Sequence, residues 1–584
     1  MTVQREAVQF TGGLDLNTPY LAMPPGRMIA GSNYEQLPLG GYRRIDGYVL
    51  FDGQLEDPQP VPGVGQINGV WIFNDDVYAF RDHDETTAKM WRSTEMGWDE
   101  VDLGTSLRFS AGNRQFAEGD EINGQTSGAT ATVKRLVIVD GVTGDSSLVG
   151  TLALADVVGT FTEGENIRID TTVHAVADAD SAANTLPSGG RYEFVNANFF
   201  GQVQTRRMYG VNKVGYPFEW DGETFVSIEN GVDVQFPDFI ATHRQRLIVG
   251  YPGGSILISG LGTPHDYRAI SDATEIAIGD AINGFLPLQG GVLGIACRES
   301  FQILYGDDTQ TFEVRQFSSF GMRPYTLGEV SRMFMALDER GVIALTATQG
   351  FGDFTGTVIS DQIKPEVAPT NREIEVSASI TARVKGQYRL FFGTRGFYFT
   401  VNNGQLAGIT RVDLDDPVRV TCSVEDATGR ERMAFGSDDG KVFLMDIGSN
   451  FNGAPILAFC RLAFNFQQAP TIVKQLRRVF IDAQADTDQP VQMQARVDFD
   501  DGREGSVSSR VAQETVAVSA GQGFWNFNDW NTFNWSVPYR AQVPLDVRGY
   551  GENMSLSLVS TGAEDGSHTL FGAVIHYSLR RPLR

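Results

Sequence analysis

Cysteine, histidine and lysine are all scarce in this chain of 584 residues. Its three cysteines, Cys297, Cys422 and Cys460, are an odd number, lie far apart and stand in apolar runs, so we expect buried reduced thiols rather than disulfides. We therefore expect the protein to be made in a reducing cytosol. Only six histidines occur, and no two of them have zinc-ligand spacing or a cysteine pair nearby. The sequence predicts no metal site and no cofactor.

Long apolar runs are also missing. No stretch reaches the eighteen or more apolar residues that a transmembrane helix needs. Residues 1–6 lack a basic region followed by an apolar stretch, which is how a secretory signal begins. We expect a soluble chain that has no membrane-spanning segment and is not exported by a signal peptide.

Motifs that would indicate catalysis are absent as well. The chain has no Gly-x-Ser-x-Gly elbow, no phosphate-binding glycine loop and no His-Glu-x-x-His helix. Residues 498–502 superficially resemble a calcium loop but lack its later oxygen ligands, so a hairpin turn at Asp501-Gly502 is the better prediction. Residues 437–443 nearly match the Asp-box of sialidase propellers, which is a structural turn. We predict no catalytic residues and no enzyme, although sequence cannot rank carboxylate pairs among the 72 acids.

The balance of charge is strongly acidic. The net charge is −25, from 72 acidic and 47 basic residues, and only seven of the bases are lysines. A protein that grips nucleic acid by its phosphates has the opposite balance. The acidity fits either an ordinary solvated surface or a wall past which DNA slides without sticking. Because arginine is the base used in planar, bidentate contacts, we expect many fixed interface pairs.

What the chain does contain is one recurring unit, a short apolar strand, a polar turn and a second apolar strand. The clearest case is 70–73 and 77–80, which predicts a hairpin. Similar units lie at 208–211 to 218–225, 246–249 to 255–258, 292–295 to 302–305, 342–345, 388–392 to 397–401, and 432–435 to 442–445. Seven or so units at irregular spacing predict a β-propeller with irregular blades, and a stack of β-sandwiches is the alternative.

Two stretches interrupt this rhythm. Residues 105–190 are poor in aromatics and repeat a pattern at 116–122 and 161–167, which predicts an inserted β-domain of two related halves, facing solvent or a partner. Beyond residue 455 the strands become longer and alternate, as in a β-sandwich. We predict an all-β chain with four parts: an N-terminal arm and first blades (1–104), the inserted β-domain (105–190), the remaining blades (191–454) and a C-terminal β-sandwich-like domain (455–584).

Six aromatic residues crowd into positions 524–535, including Trp525, Phe527, Trp530 and Trp535. The three tryptophans are spaced by five, which is neither a helix nor a strand period. The segment therefore predicts a knotted loop or broken hairpin that packs against a core or a partner, because each ring can bury about 150–250 Å².

The two chain ends also carry candidate contacts. The three prolines of the N-terminal arm, Pro19, Pro24 and Pro25, lack the backbone N–H donors that a central strand needs. We expect the arm to run along a neighbouring subunit or adaptor, or along its own propeller. The basic end with Arg580 and Arg581 either anchors on an acidic neighbour or is a solvated tail.

Three sets of residues resemble the tail hub or nozzle proteins of short-tailed bacteriophages. The first opens the chain and includes Arg43 and Arg44, the second lies in the middle, and the third is the aromatic cluster with the C-terminal strand. They cover 10–19, 24–27, 33–34 and 41–48; 243–247, 259–264, 337–342 and 351–354; and 524–535 and 570–581. The resemblance spans nearly the whole chain except 105–190, and its motifs are diffuse.

That family is similar in being built around a β-propeller, in forming a six-fold ring below the portal and adaptor, and in serving as the narrow end of the DNA channel. The resemblance implies a structural virion protein of the tail, assembled in the host cytoplasm as a homohexamer. Its implied partners are its own copies, the tail adaptor or portal-proximal protein, tail fibres or spikes, and double-stranded DNA that passes without specific binding. Arg43, Arg44, Arg580, Arg581 and the aromatic cluster become assembly candidates.

Two other classes of function stay open. One is a propeller glycosidase, which needs arginines and a carboxylate pair converging on the propeller axis. The other is a monomeric glycan-binding adhesin or fibre-attachment protein. We expect that replacing Trp530 with Ala impairs folding or ring assembly, since the aromatic cluster is predicted to be structural.

Overall fold

The computed structural model describes residues 3–51, 59–202, 205–232, 235–288, 290–347, 354–426, 428–485, 489–497, 513–518, 541–560 and 567–580. Strands dominate it. The described residues contain one α-helix, Lys364–Glu373, and two short 3-10 helices, Ala269–Ser271 and Asp361–Ile363. The all-β prediction is confirmed.

Seven sheets, each with four main strands, form a closed ring, so the predicted β-propeller is confirmed as well. The first strand of each blade is the innermost, and neighbouring blades meet through these strands or through shared cores. The strands are Val64–Phe73, Asp76–Asp82, Thr87–Thr94 and Gly97–Glu100 in blade 1; Glu193–Ala197, Arg207–Val211, Phe218–Trp220 and Phe225–Ser227 in blade 2; Phe239–His243, Arg246–Gly250, Ser255–Ile258 and Thr274–Ala277 in blade 3; Ile282–Leu288, Val292–Cys297, Phe301–Tyr305 and Glu313–Ser318 in blade 4; and Gly328–Val330, Met333–Leu337, Val342–Ala347 and Phe354–Val358 in blade 5.

Blades 6 and 7 are completed by the N-terminal arm. Blade 6 is Ala378–Ala382, Gln387–Asn402 and Gln405–Val418, with Gly12–Gly13 of the arm as its parallel outer strand. Blade 7 is Val420–Glu425, Glu431–Gly436 and Val442–Met445, with Tyr48–Leu50 of the arm outside them and the small strands Asn450–Phe451 and Ala454–Pro455 beyond. Residues from both ends of the propeller therefore share sheets, which closes the ring.

Each of the seven units found in the sequence lies in a different blade. In blade 1, Asn74 and Asp75 have φ angles of 50° and 69°, the left-handed pair that a two-residue type I′ hairpin requires. The hairpin predicted at 388–401 is wrong, because Gln387–Asn402 is one strand. Gly393 has φ 64° and the register shifts beside it, so the chain bends at a bulge instead of reversing.

The insertion between blades 1 and 2 is a closed six-stranded barrel. Its strands are Thr105–Gly112, Glu121–Gly124, Thr130–Asp140, Leu148–Val158, Asn166–Ile169 and Thr172–Ala177, and the first pairs with both the fourth and the sixth. The short strand Ala182–Ala183 adds to the first, whereas Leu186–Pro187 already pairs with blade 1.

The two halves of the barrel repeat the same contacts. Gly119 N donates to Val133 O at 2.8 Å, and Gly164 N donates to Ala177 O at 2.9 Å at the matching place in the second half. The matching aromatics Phe116 and Phe161 are both buried. The repeated sequence pattern thus corresponds to a repeated backbone arrangement.

The C-terminal region is a two-sheet sandwich that includes the N-terminal arm. One sheet contains Tyr34–Gln36, Tyr42–Arg44, His568–Leu579, Lys474–Ala485 and Ala541–Gly551, with Gln4–Gln9 beside His568–Leu579. The other contains Met28–Ser32, Ala458–Leu462, Met554–Ser560, Gln489–Val497 and Gln513–Val518. Within this chain the arm therefore runs along its own sandwich and propeller.

One continuous core joins the sandwich to blades 5 and 6. Phe10 and Tyr42 of the arm pack with Met335 of blade 5, Phe399 of blade 6 and Leu558 of the sandwich, and all five are at most 1 % exposed. Burying side chains of this size stabilises the contact by roughly 1.5–3 kcal/mol each. The sandwich is consequently fixed to the propeller rim.

Candidate functional site

The propeller axis holds a cavity of about 150 Å³. Inner strands of several blades line it, and its polar side chains include Glu193 of blade 2, Asn283 of blade 4, Ser379 of blade 6 and Thr421 of blade 7. Arg191, just before blade 2, also lines the cavity.

Arg191 makes three contacts beside this cavity. Its Cζ lies 3.6 Å from the ring centroid of Tyr325, and Nη1 donates to the carbonyl of Ser377. Its Nε is 3.5 Å from Oε1 of Glu193. Burial among the blades raises the pKa of Glu193 and lowers the pKa of Arg191, although both side chains face the cavity.

The size of the cavity limits what this axis can conduct. A volume of 150 Å³ corresponds to about five water molecules of about 30 Å³ each. A DNA duplex, whose major groove alone is about 12 Å wide, does not fit. The axial cavity itself is therefore not a passage for DNA.

The N-terminal arm is anchored by a cluster of buried charges. Nζ of Lys385, in the turn that precedes the second strand of blade 6, lies 3.0 Å from Oε1 of Glu35 and 2.8 Å from Oδ2 of Asp46, both in the arm. It also lies 3.3 Å from Oδ2 of Asp446 at the end of blade 7. One ammonium thus joins the arm to two blades.

Arg389 completes this anchor of the N-terminal arm. Its side chain is fully buried and donates two hydrogen bonds to Asp446, of 2.9 and 2.8 Å. Gln387 accepts from Arg389 and donates to Glu35, so every member has a partner. Burial alone would raise the pKa of Asp446, but Arg389 and Lys385 lower it to about 2.

Arg43 and Arg44 are both engaged within the chain. Arg44 is 1 % exposed and its Nη2 donates to the carbonyls of Ser449 at 3.2 Å and Ile456 at 3.4 Å. Arg43 pairs with Asp46 of the arm at 2.7 Å, and its Nε donates to Ser567 Oγ at 3.1 Å. These two assembly candidates link the arm to the rest of their own chain.

A second ionic anchor holds the barrel to the propeller. Arg135 of the barrel pairs with Glu118 of the barrel at 2.8 Å and with Asp221 of blade 2 at 2.7 Å, and its Nε lies 3.5 Å from Glu219. Ile138 N also donates to the carbonyl of His265 at 3.3 Å, in the loop between the third and fourth strands of blade 3. The barrel is therefore fixed to blades 2 and 3.

Glu219 is the buried centre of that anchor. Its fully buried carboxylate accepts from Arg207 at 2.6 Å and from the Tyr209 hydroxyl at 2.7 Å, and Nε2 of His265 lies 2.8 Å away. Burial opposes its ionisation, but His265 and Arg207 lower the pKa of Glu219 to about 2. The carboxylate is held ionised at neutral pH.

Among the C-terminal assembly candidates, Arg580 lies within the described residues. Arg580 is exposed, its backbone N donates to Val473 O at 2.9 Å, and its Cζ lies 5.0 Å from the Tyr550 ring centroid. The remaining candidates lie outside the described residues, so their roles stay predictions: Trp525, Phe527, Trp530, Trp535 and Arg581.

Metal ligands and thiols are the reactive groups considered next, within the described part of the chain. No group of three or more His, Cys, Asp or Glu side chains there is arranged to hold a metal ion. The predicted buried thiols are confirmed, because Cys297, Cys422 and Cys460 are free and buried, and burial raises the pKa of each to about 12.

The Asp-box residues make a structural turn. Ser437 Oγ donates to Asp439, and Gly440 has φ 82°. The guanidinium of Arg81 from blade 1 occupies the space that a Cβ at Gly440 would need, and Arg81 Nε donates to Gly65 O at 3.0 Å. The turn packs blade 7 against blade 1.

Sequence patterns did not reveal Arg191, Tyr325, Lys385 or Glu219. Each is a single charged or aromatic residue whose partners come from distant segments, and no local spacing marks it. A polar residue inside an apolar strand, such as Glu219 between Phe218 and Trp220, was the only available signal.

No family model matches the chain, and no curated protein matches it in sequence. The chain is similar to solved structures at low identity. Virginiamycin B lyase from Staphylococcus aureus is 8 % identical with a TM-score of 0.33, and the match covers 59 % of this chain and 99 % of that one. The WD40 domain of Toxoplasma gondii coronin is 8 % identical with a TM-score of 0.31 (61 % and 92 % covered), and BamB from Moraxella catarrhalis is 13 % identical with a TM-score of 0.29 (58 % and 95 % covered). Across the described segments, no helix is long and apolar enough to span a membrane.

Proposed function

We propose that this chain is the structural subunit of the distal tail nozzle, or hub, of a short-tailed bacteriophage. In this proposal several copies, six by resemblance, close into a ring that conducts and retains the genome and docks the adaptor and tail fibres. The chain has no catalytic step in this role.

The observation that carries the proposal is where the charges lie. Arg44, Arg246 and Arg389 are among the largest fully buried side chains, and Arg135 and Arg191 are occupied by internal contacts. Acidic residues nevertheless outnumber basic ones by 72 to 47. The described core buries acidic and basic side chains in similar numbers, so the excess of acids remains at the surface, where it repels DNA phosphates.

A ring amplifies this effect. Six copies at −25 each carry about −150, and screening limits the repulsion to roughly 10 Å at 0.1 M salt. The acids must therefore line the lumen closely. Such a wall lets the duplex slide, since no basic patch retains it.

The narrow axis of the propeller sets the geometry of the proposed conduit. Because the axial cavity of about 150 Å³ is too small for a duplex, we place the lumen between several copies. Head-to-tail contacts between different faces of neighbouring copies generate such a ring when the rotation closes. In this arrangement the barrel, fixed through Arg135, is a rigid module available to an adaptor or fibre.

Native mass spectrometry of the purified full chain tests this function. We expect a hexamer of about 383 kDa, six times the 63.9 kDa of one chain. A monomer that stays monomeric at high concentration and binds or hydrolyses a glycan contradicts the proposal.

One cleft favours the glycan-recognition alternative. A cavity of about 840 Å³ between blades 4 and 5 is lined by Arg298, Arg323, Arg340, Glu299 and Glu375, among others. Its volume is within the range of small-molecule sites, about 300–1,000 Å³. Binding to an array of surface glycans, lost in Arg298→Ala but kept in Arg430→Ala on blade 7, would support this second function.

A further inference from the structure

The C-terminal sandwich carries an apolar groove of about 620 Å³. Strand Gln4–Gln9 of the arm, strand His568–Leu579 and the turn 37–40 supply most of its lining. Its apolar lining side chains include Ala7, Leu37, Leu39, Phe571 and Val574. Ala7 is exposed whereas its neighbour Val8 is buried in the core, so the groove lies on the outer face of the sheet. Its volume is that of a binding site, about 300–1,000 Å³, and its lining favours an apolar occupant.

A row of paired residues joins this groove to the start of strand Ala541–Gly551. Gln542 pairs with Asp482, Asp482 with Gly572, and Gly572 with Gln9. The last three of these residues line the groove. Neighbouring strands lie about 4.8 Å apart, so the row from Gln542 to Gln9 is about 14 Å wide. The chain therefore re-enters the sheet beside the groove.

The aromatic cluster 524–535 stands just before this point in the sequence, among residues 519–540, which lie outside the described residues. Trp535 is seven positions before Gln542, and Trp525 is seventeen positions before it. Seven extended residues span about 23 Å, which exceeds the width of the row. Each tryptophan of the cluster is therefore within reach of the groove of its own chain.

The groove offers what tryptophan side chains need. An aromatic ring buries about 150–250 Å² when it is covered, and a buried indole N–H needs an acceptor. Asp482 and Gln9 line the groove beside the apolar side chains and carry acceptor oxygens. A carboxylate has about four acceptor sites, so Asp482 can accept an indole N–H in addition to other contacts. Leu39, which is 87 % exposed, adds apolar surface that a ring would cover.

We propose that the aromatic cluster 524–535 docks in this groove of its own chain. Docking covers the apolar lining and holds strand Gln4–Gln9 of the arm against the sandwich. Because it takes place within one chain, it does not depend on formation of the ring. A cluster supplied by a second copy and a small apolar ligand are the other occupants, and the first experiment separates them from this one.

Photo-crosslinking of the full chain tests the occupant. The probe is p-benzoyl-phenylalanine in place of Trp535, in a mixture of isotope-labelled and unlabelled chains. We expect crosslinks to Gln4–Gln9 or to residues 571–574, each within a single isotopic form. Crosslinks to other segments, crosslinks between the two isotopic forms, or no crosslink to the groove overturn the proposal.

Chymotrypsin, which cleaves after aromatic residues, provides the second measurement. Ala7→Glu places a charge in the groove at an exposed position and should speed cleavage within 524–535 by about ten-fold or more, because the undocked form becomes more populated. Gln4→Glu, on the same strand but outside the groove, should leave the rate unchanged.

Circular dichroism shows whether the variants fold. If Ala7→Glu does not, Leu39→Glu in the exposed turn replaces it. Equal cleavage rates in the wild type, the groove variant and Gln4→Glu overturn the docking.

Discussion

Nζ of Lys385 lies 3.0 Å from Oε1 of Glu35, although 350 positions separate these residues in the chain. The pair ties the N-terminal arm to blade 6, in a propeller whose two last blades are completed by that arm. Closure of the ring therefore depends on charges that are nearly buried. The first prediction tests this dependence.

Replacing Lys385 with Met should destabilise the chain by about 2 kcal/mol, because it leaves Glu35, which is 1 % exposed, without its ammonium partner. The expected destabilisation is smaller than that for breaking a fully buried ion pair, because the side chain of Lys385 is 18 % exposed. Thermal unfolding and limited proteolysis of the arm measure the effect. Lys364→Met, at an exposed helix start, is the control; equal losses in the two variants would contradict the arm anchor.

The Asp-box turn predicts that alanine costs more stability at one glycine of blade 7 than at another. Gly440→Ala should cost roughly 2–3 kcal/mol, because it combines left-handed strain at φ 82° with a clash against the Arg81 guanidinium. Gly429→Ala has φ 78° and open space around it, so only the strain of about 1 kcal/mol applies. Chemical unfolding of both variants checks the order. If Gly429→Ala is the more damaging, blade 7 does not pack on blade 1 as described.

Acid should weaken the fold through Glu219 and Asp446. The pKa of each is about 2 in the folded chain, below the ordinary values of 4.5 and 3.8. The unfolded chain therefore binds more protons in acid, and this stabilisation is complete above about pH 4.5 and is lost as the pH falls towards 2. Tm measured from pH 7 to pH 3 should fall below about pH 4.5.

Glu219→Gln should flatten that part of the pH profile. At pH 7 it should cost about 3 kcal/mol, because Arg207 and Arg135 lose a buried counter-charge. Glu95→Gln, on an exposed turn of blade 1, should leave the profile unchanged. A wild-type slope in Glu219→Gln would show that other groups control the acid response.

The aromatic segment predicts an assembly defect. Trp530→Ala should impair folding or assembly of the hexameric ring, because an aromatic side chain of this size contributes about 150–250 Å² of buried surface. Size-exclusion chromatography with light scattering measures the assembly, and circular dichroism measures the fold. A variant with unchanged Tm and unchanged assembly would exclude the predicted structural role.

Local patterns predicted the blades well, because strand alternation and turn residues are short-range properties. Units such as 70–80 and 432–445 lie within separate blades, and the repeat at 116–122 and 161–167 marks the two halves of the barrel. The bulge at Gly393 was mistaken for a turn, since glycine is common to both.

The sites could not be predicted in the same way. Arg191 meets Tyr325 only because the ring of blades brings their segments to one axis. The arm joins the sandwich through pairings such as Gln4 with Tyr577, which link the two ends of the chain. Long-range pairing of this kind leaves no periodic trace in the sequence of either segment.

The most direct measurement of the proposed function is cryo-electron microscopy of the purified chain at a concentration at which it assembles. We expect a closed ring of six copies whose central opening, lined by carboxylates, is wide enough for a DNA duplex. A population of monomers only, or a ring whose opening is narrower than a duplex or lined by basic side chains, would contradict the nozzle.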